Sequence, residues 1–470
     1  MEDYGLNTEK ELYERLKQSL SKYSKEGFSV KLHSLYMYEF KNRKNHNITI
    51  YKWNNPIAVI DVKRNYRIIP SIHNPFPVSF DNESLLSRYR VIYSDNNKFF
   101  LNDSYKRNAD PIEVNYEELL DKIVNPEPVI FGNKERQKIK DIFLETQQEI
   151  LNDNIELKKF ITDKRFETNL KFREPFTCSF EDSKTGISEF ENQFFISLLG
   201  KFEKSQICRY TTLNTIFSML NYKSFRMSGL IGMNDKSEVN YVDTYLQGVE
   251  VPLIDEHHSR IMALNRRYIT SCTTLDKKDD LTMWRLYADD SKGVCLTFDV
   301  NTNNTNDHVL IQEVRYADAN GKHPELEYLR ALQVRISNAL GFTFQFRKLG
   351  IWKHFFKAFD YSIEKEVRLM VIDDGTIPKI KTDWVMTYTH SIINPIIDFQ
   401  LNSNVFPIQL REIMLGSKCP EQETNKVQLV EMLRRKKNEI KDNNSDKTKE
   451  PINSDITKIK VELSKIKHYR

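Results

Sequence analysis

The chain has 470 residues, of which 39% are hydrophobic and 29% are charged. This length indicates two domains, and the hydrophobic content is sufficient for buried cores. The 70 basic and 66 acidic side chains leave a formal charge of +4. The chain therefore lacks the overall basic charge that marks many nucleic-acid-binding proteins.

The cysteines and the apolar runs set further limits. The five cysteines form no C-x-x-C pair, and their wide spacing favours reduced thiols over a disulfide framework or a zinc site. The charged N-terminal residues lack the apolar core of a signal peptide, and no apolar run approaches the roughly 20 residues of a membrane span. We therefore predict a soluble, cytoplasmic protein with no membrane partner.

Residues 1–200 are predicted to form a mixed α/β module rich in short strands. Leu12, Leu16 and Leu20 recur at helical spacing, which predicts a helix over the first twenty-odd residues. Short aromatic or β-branched runs predict strands at residues 35–38, 48–51 and 58–60.

The rest of this module is predicted to be helical, over residues 133–173. Its predicted buried stripe consists of Ile139, Ile142, Phe143, Ile150 and Leu151. We find no catalytic constellation in residues 1–200, and we therefore predict a module that senses a trigger or binds a partner protein.

Residues 201–470 are predicted to form the second domain. A linker is predicted at residues 179–188, and beyond it short strands and helices alternate as far as Arg435. Residues 436–454 have almost no apolar side chains and are predicted to be a disordered excursion. The alternation at residues 459–463 predicts a strand that returns to the same sheet.

Several short motifs follow one another along this second domain. They are Arg209-Tyr210-Thr211, Asn234-Asp235, Ser271-Cys272-Thr273, Met283-Trp284 with Tyr287-Ala288, Gly293-Val294-Cys295 with Phe298, Glu364-Lys365-Glu366 with Arg368, and Arg411–Gly416. Together they resemble a bacterial family, domain of unknown function 2971, over residues 205–435 and the terminal strand. The chain departs from the family pattern at Lys236, where a proline is usual, and at Ser362-Ile363, which separate Tyr361 from Glu364.

That family is similar in layout to ADP-ribosyltransferases, and the similarity implies a fold and a substrate. The implied fold is α+β, with a split, mostly antiparallel sheet and flanking helices. The implied substrate is NAD, with Glu366 as the catalytic carboxylate and Glu364 as the group that activates the acceptor. The implied NAD-binding residues are Arg209, Tyr210, Ser271, Thr273, Trp284 and Tyr287.

The chemistry of NAD cleavage suits these residue types. Breaking the nicotinamide–ribose bond passes through an oxocarbenium-like state, which a carboxylate stabilises. If residues 362–372 form a strand, Glu364, Glu366 and Arg368 share one face. The opposite face then carries Ile363, Val367, Leu369 and Val371. The guanidinium of Arg209 can pair with a phosphate through two hydrogen bonds, which a lysine cannot do.

Each motif also has a purely structural interpretation. Glu364 and Glu366 suit a solvated strand face paired with Lys365 or Arg368. Ser271 and Thr273 suit an ordinary strand, and Asn234-Asp235 suits a turn. Thr211 or Thr212 suits the cap of the following helix. Trp284 and Tyr287, at i and i+3 of a predicted helix, either flank a flat ring or fill the core.

Two further features have simpler structural interpretations. His257-His258 has no third ligand at useful spacing, so we predict no metal site. The basic run at residues 434–437 is predicted to end a helix, where cations favour the helix dipole. Contact with a nucleic-acid phosphate is the alternative for this run.

Two functions follow as hypotheses. The first is an NAD-dependent ADP-ribosyltransferase, a toxin or anti-phage defence effector, whose macromolecular acceptor is a protein or a nucleic acid. Hydrolysis of NAD is a close variant of this activity. The second is a non-enzymatic module that binds a ligand or a partner.

Overall fold

The computed structural model is a mixed α/β chain in which short strands and helices alternate. It describes residues 3–32, 48–52, 55–62, 89–93, 98–103, 112–125, 131–152, 154–173, 177–181, 189–233, 236–246, 264–373, 382–386, 392–403, 406–445 and 458–466. Among the helices of these residues, none is both long enough and apolar enough to cross a membrane.

The α-helices of the described residues lie between Asp3 and Ser445 and are numbered in chain order. They are α1 Asp3–Ser21, α2 Tyr116–Val124, α3 Asn133–Ile150, α4 Ile155–Thr162, α5 Arg165–Asn169, α6 Glu189–Leu199, α7 Leu213–Tyr222, α8 Lys236–Val239, α9 Tyr241–Tyr245, α10 Leu281–Tyr287, α11 Pro324–Leu340, α12 Leu349–Trp352 and α13 Gln422–Ser445. Short 3-10 helices lie at Ser24–Glu26, Leu230–Gly232, Leu275–Lys277, Thr302–Asn304, Lys353–Phe355 and Phe359–Glu364.

The strands are numbered β1 to β21. They are β1 Phe28–Leu32, β2 Ile48–Lys52, β3 Asn55–Val62, β4 Tyr89–Tyr93, β5 Phe99–Asp103, β6 Ile112–Val114, β7 Leu170–Arg173, β8 Thr177–Phe180, β9 Gln206–Thr211, β10 Ser224–Gly229, β11 Arg267–Thr274, β12 Val294–Val300, β13 Val309–Glu313, β14 Arg315–Tyr316, β15 Thr343–Phe344, β16 Phe356–Lys357, β17 Glu366–Ile372, β18 Thr382–Met386, β19 Ile393–Gln400, β20 Ile408–Leu415 and β21 Lys460–Leu463.

The chain divides into two units that alternate along the sequence. Unit 1 consists of Met1–Leu198, Asp243–Asp255 and Pro324–Ile351. Unit 2 consists of Leu199–Val242, Glu256–His323 and Trp352–Arg470. Two later segments of the chain therefore belong to the first unit. The division into domains at residues 200 and 201 stays a prediction.

Unit 1 begins with the predicted helix and a sheet in the order β1-β2-β3-β4-β5-β6. Leu12, Leu16 and Leu20 of α1 are buried, as the helical spacing predicts. The strands predicted at residues 48–51 and 58–60 are confirmed as parts of β2 and β3. The strand predicted at residues 35–38 lies outside the described residues.

A second core of unit 1 is built from phenylalanine rings that meet mostly edge to face. Its rings include Phe143, Phe160, Phe166, Phe180, Phe190, Phe194, Phe344 and Phe346. Edge-to-face contacts align the positive ring edge with the negative ring face, which favours this geometry. In the predicted stripe of α3, Ile139, Ile142 and Phe143 are buried, and Ile150 and Leu151 are partly buried.

Unit 2 is organised around a sheet that forks at β11. Along one edge, β11 pairs with β17 from Arg267 to Thr273. Along its other edge, within the described strands, it pairs with β10 at Tyr268 and Ile269 and with β9 at Thr273 and Thr274. One branch continues through β10, β19 and β18, and the other through β9, β12, β20 and β21. The sheet therefore opens beside Ser271, between the two branches.

The pairings of this sheet are antiparallel, except that β20 and β21 are parallel. The predictions of a mostly antiparallel sheet and of a terminal strand that joins it are confirmed. Helix α7 connects the two branches and begins as predicted, because the Thr212 hydroxyl accepts a hydrogen bond from Thr215 N–H. All five cysteines are free thiols, as predicted, and all five are buried.

Several predicted boundaries are wrong. The predicted linker begins inside β8, where Ser179 and Phe180 are buried because β8 pairs with β7 and β15. The helices of residues 133–173 end at Asn169, and Leu170–Arg173 is β7. Residues 436–445 continue α13 instead of being disordered, since lysine and glutamate favour helices even without apolar neighbours. The basic run thus lies within a helix and does not end it. Residues 446–454 lie outside the described part.

Candidate active site

A cavity of about 360 Å³ lies at the fork of the unit 2 sheet. Its lining residues are Cys208, Arg209, Tyr210, Met233, Glu238, Ser271, Cys272, Thr273, Met283, Tyr287, Lys357, Tyr361, Glu364 and Glu366. Every predicted site residue except Trp284 is in this set. Cavities of this size hold small-molecule ligands in many proteins.

Strand register brings the central polar residues together. In the antiparallel pair of β11 and β17, Ser271 lies opposite Arg368, and Thr273 lies opposite Glu366. The alternate residues Cys272 and Val367 face the hydrophobic core of the unit. The pleat therefore directs the polar side chains of both strands to the same face.

Glu364 lies in a different secondary structure from the strand that we predicted. Residues 359–364 form a 3-10 helix, and Lys365 has a left-handed conformation with φ of 43°. The Thr273 hydroxyl donates to the Glu364 carbonyl at 2.6 Å, and Thr274 N–H donates to the Lys365 carbonyl at 3.2 Å. These hydrogen bonds hold the turn, and β17 begins only at Glu366. Glu364 is therefore not on the strand, and Ile363, predicted to lie on the opposite face of that strand, precedes β17 and is 50% exposed.

Both carboxylates are buried, against the interpretation of a solvated strand face. Glu364 is 7% exposed and Glu366 is 4% exposed. Lys357 lies between them, with its Nζ 2.9 Å from Glu364 Oε2 and 3.0 Å from Glu366 Oε2. Lys365, one of the two predicted ion partners, pairs instead with Asp276.

Arg368, the other predicted partner, completes the ionic cluster. It donates to the two oxygens of Glu366, from Nε at 2.8 Å and from Nη2 at 2.9 Å. Arg368 also contacts Glu238, whose other oxygen lies 3.5 Å from Lys357 Nζ. When all its groups are ionised, this buried cluster has two cations and three anions.

The pKa values in the cluster reflect burial and opposite charges. Burial raises the pKa of Glu366, and the nearby charge of Lys357 offsets only part of this rise. Burial lowers the pKa of Lys357, but the charges of Glu366 and Glu364 outweigh it, so that the net pKa is raised. Lys357 is consequently a charged group in the neutral range.

Lys357 and Glu238 were missed by our sequence reasoning. A signal for Lys357 was available, because it follows Phe355-Phe356 and precedes Ala358-Phe359 in an apolar run. A lysine within such a run is buried with the run when a carboxylate pairs with it. Glu238 carried no comparable signal, since it lies in a polar segment.

Arg209 lines the cavity at the point where β9 leaves β11. Its guanidinium lies over the Phe225 ring, 5.4 Å from the centroid, and burial lowers its pKa. In the described part of the chain, Arg209 has no hydrogen bond or ion pair. It is therefore a partly buried cation whose donors remain available to an anion.

The aromatic residues of the predicted site have different roles. The Tyr210 hydroxyl is engaged by the backbone: it donates to the Lys277 carbonyl at 2.6 Å and accepts from Asp280 N–H at 3.0 Å. Trp284 is fully buried, and its Nε1 donates to Asp279 at 2.8 Å, so it fills the core rather than the cavity. Tyr287 is 43% exposed, and its hydroxyl donates to Glu364 Oε1. Its pKa is raised by burial and by this carboxylate.

Two other features of the sequence analysis, Asn234-Asp235 and His257-His258, lie outside the residues that the structure describes. Among the residues described, no group of three histidine, cysteine, aspartate or glutamate side chains converges as a metal site.

Comparison with known protein families gives a match to part of the chain. The model of the family described as "Protein of unknown function (DUF2971)" matches residues 283–369, which confirms the resemblance to this family over that segment. No curated protein and no solved structure matches the chain.

Proposed function

We propose that the cavity of unit 2 is an NAD-binding catalytic site of the ADP-ribosyltransferase type. The main support is that predicted residues from three distant segments line the same cavity. These residues are Arg209, Ser271, Thr273, Glu364 and Glu366. The forked sheet beside Ser271 agrees with the split sheet of the proposed fold class.

The groups suit the cleavage of the nicotinamide–ribose bond. As the bond between ribose C1 and the nicotinamide nitrogen breaks, its electron pair leaves with nicotinamide and positive charge develops on the ribose. Buried carboxylates stabilise this charge more strongly than carboxylates in water do. The acceptor then bonds to C1 and loses a proton. Arg209, with its available donors, suits the pyrophosphate.

The direct test is turnover of NAD by the purified full-length chain. The protein is incubated with NAD labelled in its adenylate part, alone and with cell lysate, and both nicotinamide and macromolecule-bound label are measured. The negative control is a double substitution, Glu364→Gln with Glu366→Gln. Glu156→Gln is the matched positive control, because the Glu156 side chain in unit 1 is 60% exposed.

The results separate the alternatives. Label in protein or nucleic acid, lost in the double variant, supports a transferase and identifies the acceptor class. Nicotinamide release without transfer supports an NAD hydrolase. If no nicotinamide forms, even with lysate from phage-infected cells as a source of a trigger, the catalytic proposal is rejected.

A binding module is the second candidate, and one observation favours it. Arg368 and Lys357 pair with Glu366 inside the protein, as they would in a purely structural cluster. Calorimetric binding of NAD or ADP-ribose with no nicotinamide release would support this candidate. Toxin or anti-phage activity stays a prediction, which expression of wild type and double variant in bacterial cells tests.

A further inference from the structure

The two cavity carboxylates differ in how many protein hydrogen bonds they already accept. Glu366 accepts two from Arg368 and one from Lys357 at 3.0 Å, so that all three of its donors are cationic. An ionised carboxylate offers about four lone-pair positions. Protein donors therefore use about three of the four positions of Glu366.

Glu364 keeps part of its capacity. Its Oε2 accepts from Lys357 at 2.9 Å, and its Oε1 accepts from the Tyr287 hydroxyl. By the same count, about two lone-pair positions remain. Glu364 therefore offers about two positions to a ribose hydroxyl or an acceptor proton, whereas Glu366 offers about one, beside three charge-assisted hydrogen bonds.

The backbone also distinguishes the two residues. Glu366 begins β17, and its N–H donates to the Tyr316 hydroxyl at 2.9 Å. Glu364 ends a 3-10 helix and precedes the left-handed Lys365. The strand and two cations thus fix Glu366, while Glu364 extends from the turn beside the half-exposed ring of Tyr287.

We infer that Glu364 is the catalytic carboxylate of the cavity, oriented by the Tyr287 hydroxyl, and that Glu366 is a positioning residue. Glu366 holds Lys357 in place against Glu364. This assignment rests on the proposed NAD site, and it exchanges the roles that the family resemblance implies for the two glutamates.

The test compares single substitutions in the full-length chain. Steady-state NAD turnover and thermal melting are measured for Glu364→Gln, Glu366→Gln and Tyr287→Phe. Glu364→Gln is expected to lower kcat about 100-fold or more, as loss of a catalytic acid–base or charge-stabilising group does. Tyr287→Phe, which removes only the orienting hydroxyl, is expected to lower kcat about tenfold and to melt like the wild type.

Glu366→Gln is expected to act through Lys357. The variant melts at least about 5 °C below Glu364→Gln, because it leaves Arg368 and Lys357 buried without their shared carboxylate. The kcat of its folded fraction falls about two- to tenfold at an unchanged KM for NAD, because Lys357 is no longer held against Glu364 by a second carboxylate. A merely structural role for Glu366 would lower the active fraction and leave the kcat of the folded fraction unchanged.

Three outcomes overturn or separate the proposals. A folded Glu364→Gln that keeps more than half of the wild-type kcat/KM overturns the assignment and leaves the NAD site intact. If Glu366→Gln does not fold, Glu364→Gln and Tyr287→Phe decide the assignment. If the wild type does not turn over NAD, the proposed function fails. Melting then still tests the ionic cluster, and equal melting of the two glutamine variants overturns Glu366 as the residue that holds Lys357.

Discussion

Replacing Lys357 by methionine removes the cation that lies between the cavity carboxylates. Lys357 is 6% exposed, and methionine fills a similar volume without charge. Removal of one partner from a buried ion pair costs about 3–5 kcal/mol, because the remaining charges stay buried without compensation. For a unit of this size we expect a fall in melting temperature of about 10 °C.

The loss of stability should depend on pH, with a sign that the cluster determines. Burial already places the pKa of Glu366 above its usual 4.5, and Lys357 opposes that rise. Without Lys357 the pKa rises further. A carboxyl whose folded pKa exceeds its unfolded pKa stabilises the fold below the unfolded pKa, and this stability is lost as pH rises through the folded pKa. The deficit of Lys357→Met is therefore smaller at pH 5 than at pH 8.

The assay is urea unfolding followed by tryptophan fluorescence at both pH values. Lys159→Met is the matched control, since Lys159 pairs with Glu156 at 2.7 Å but is 68% exposed. We expect this control to lose less than about 1 kcal/mol at either pH. A Lys357→Met variant within about 1 kcal/mol of wild type at pH 8, with no change at pH 5, would refute the charge-cluster argument.

Three further substitutions test other parts of the fold. Trp284→Phe should lower the free energy of unfolding in urea by about 1–3 kcal/mol, because it leaves Asp279 without its indole donor. KM for NAD should stay unchanged, and a raised KM would contradict the core role of Trp284. Burial raises the pKa of Glu191 from 4.5 to about 8. The free energy of unfolding of the wild type should therefore fall as pH rises from 4.5 to 8, by up to about 1.4 kcal/mol per pH unit. Glu191→Gln should remove this slope. Gly416→Ala should lower the melting temperature, because its new Cβ meets the Ser291 carbonyl; an unchanged melting temperature would contradict this close approach.

Local periodicity predicts the helices and strands whose apolar pattern lies within one short segment of the sequence. The i, i+4, i+8 leucines of α1 and the alternation at residues 459–463 each mark one buried face, and the structure has a helix and a strand there. The turn at Lys365 could not be predicted in this way. A left-handed lysine has no sequence signal, and hydrogen bonds from Thr273 and Thr274 on another strand hold it.

The sequence predicted most of the residues that line the cavity, but not which of them pair with one another. The order of the motifs predicted a common site for Arg209, Ser271 and Glu366, and these residues line one cavity. Which carboxylate accepts more protein hydrogen bonds depends on Arg368 and Lys357. Their side-chain directions follow from tertiary packing, which no spacing along the chain encodes.

The two sides of the cavity come from different parts of the chain. The matched segment at residues 283–369 contains Tyr287, Lys357, Glu364, Glu366 and Arg368. Arg209 and Ser271 precede it. The carboxylate side of the cavity is therefore the part that the family match covers, and the cationic side rests on the geometry of this chain.

The Arg209→Lys substitution tests that cationic side. If Arg209 binds the pyrophosphate of NAD, lysine cannot reproduce two parallel hydrogen bonds, and KM for NAD should rise about tenfold or more with little change in kcat. Arg226→Lys on β10 is the matched control, because Arg226 is 52% exposed and pairs with Asp398 at 2.8 Å. An unchanged KM for Arg209→Lys would remove Arg209 from the NAD site. The carboxylate side would then act on a substrate that needs no arginine to hold it.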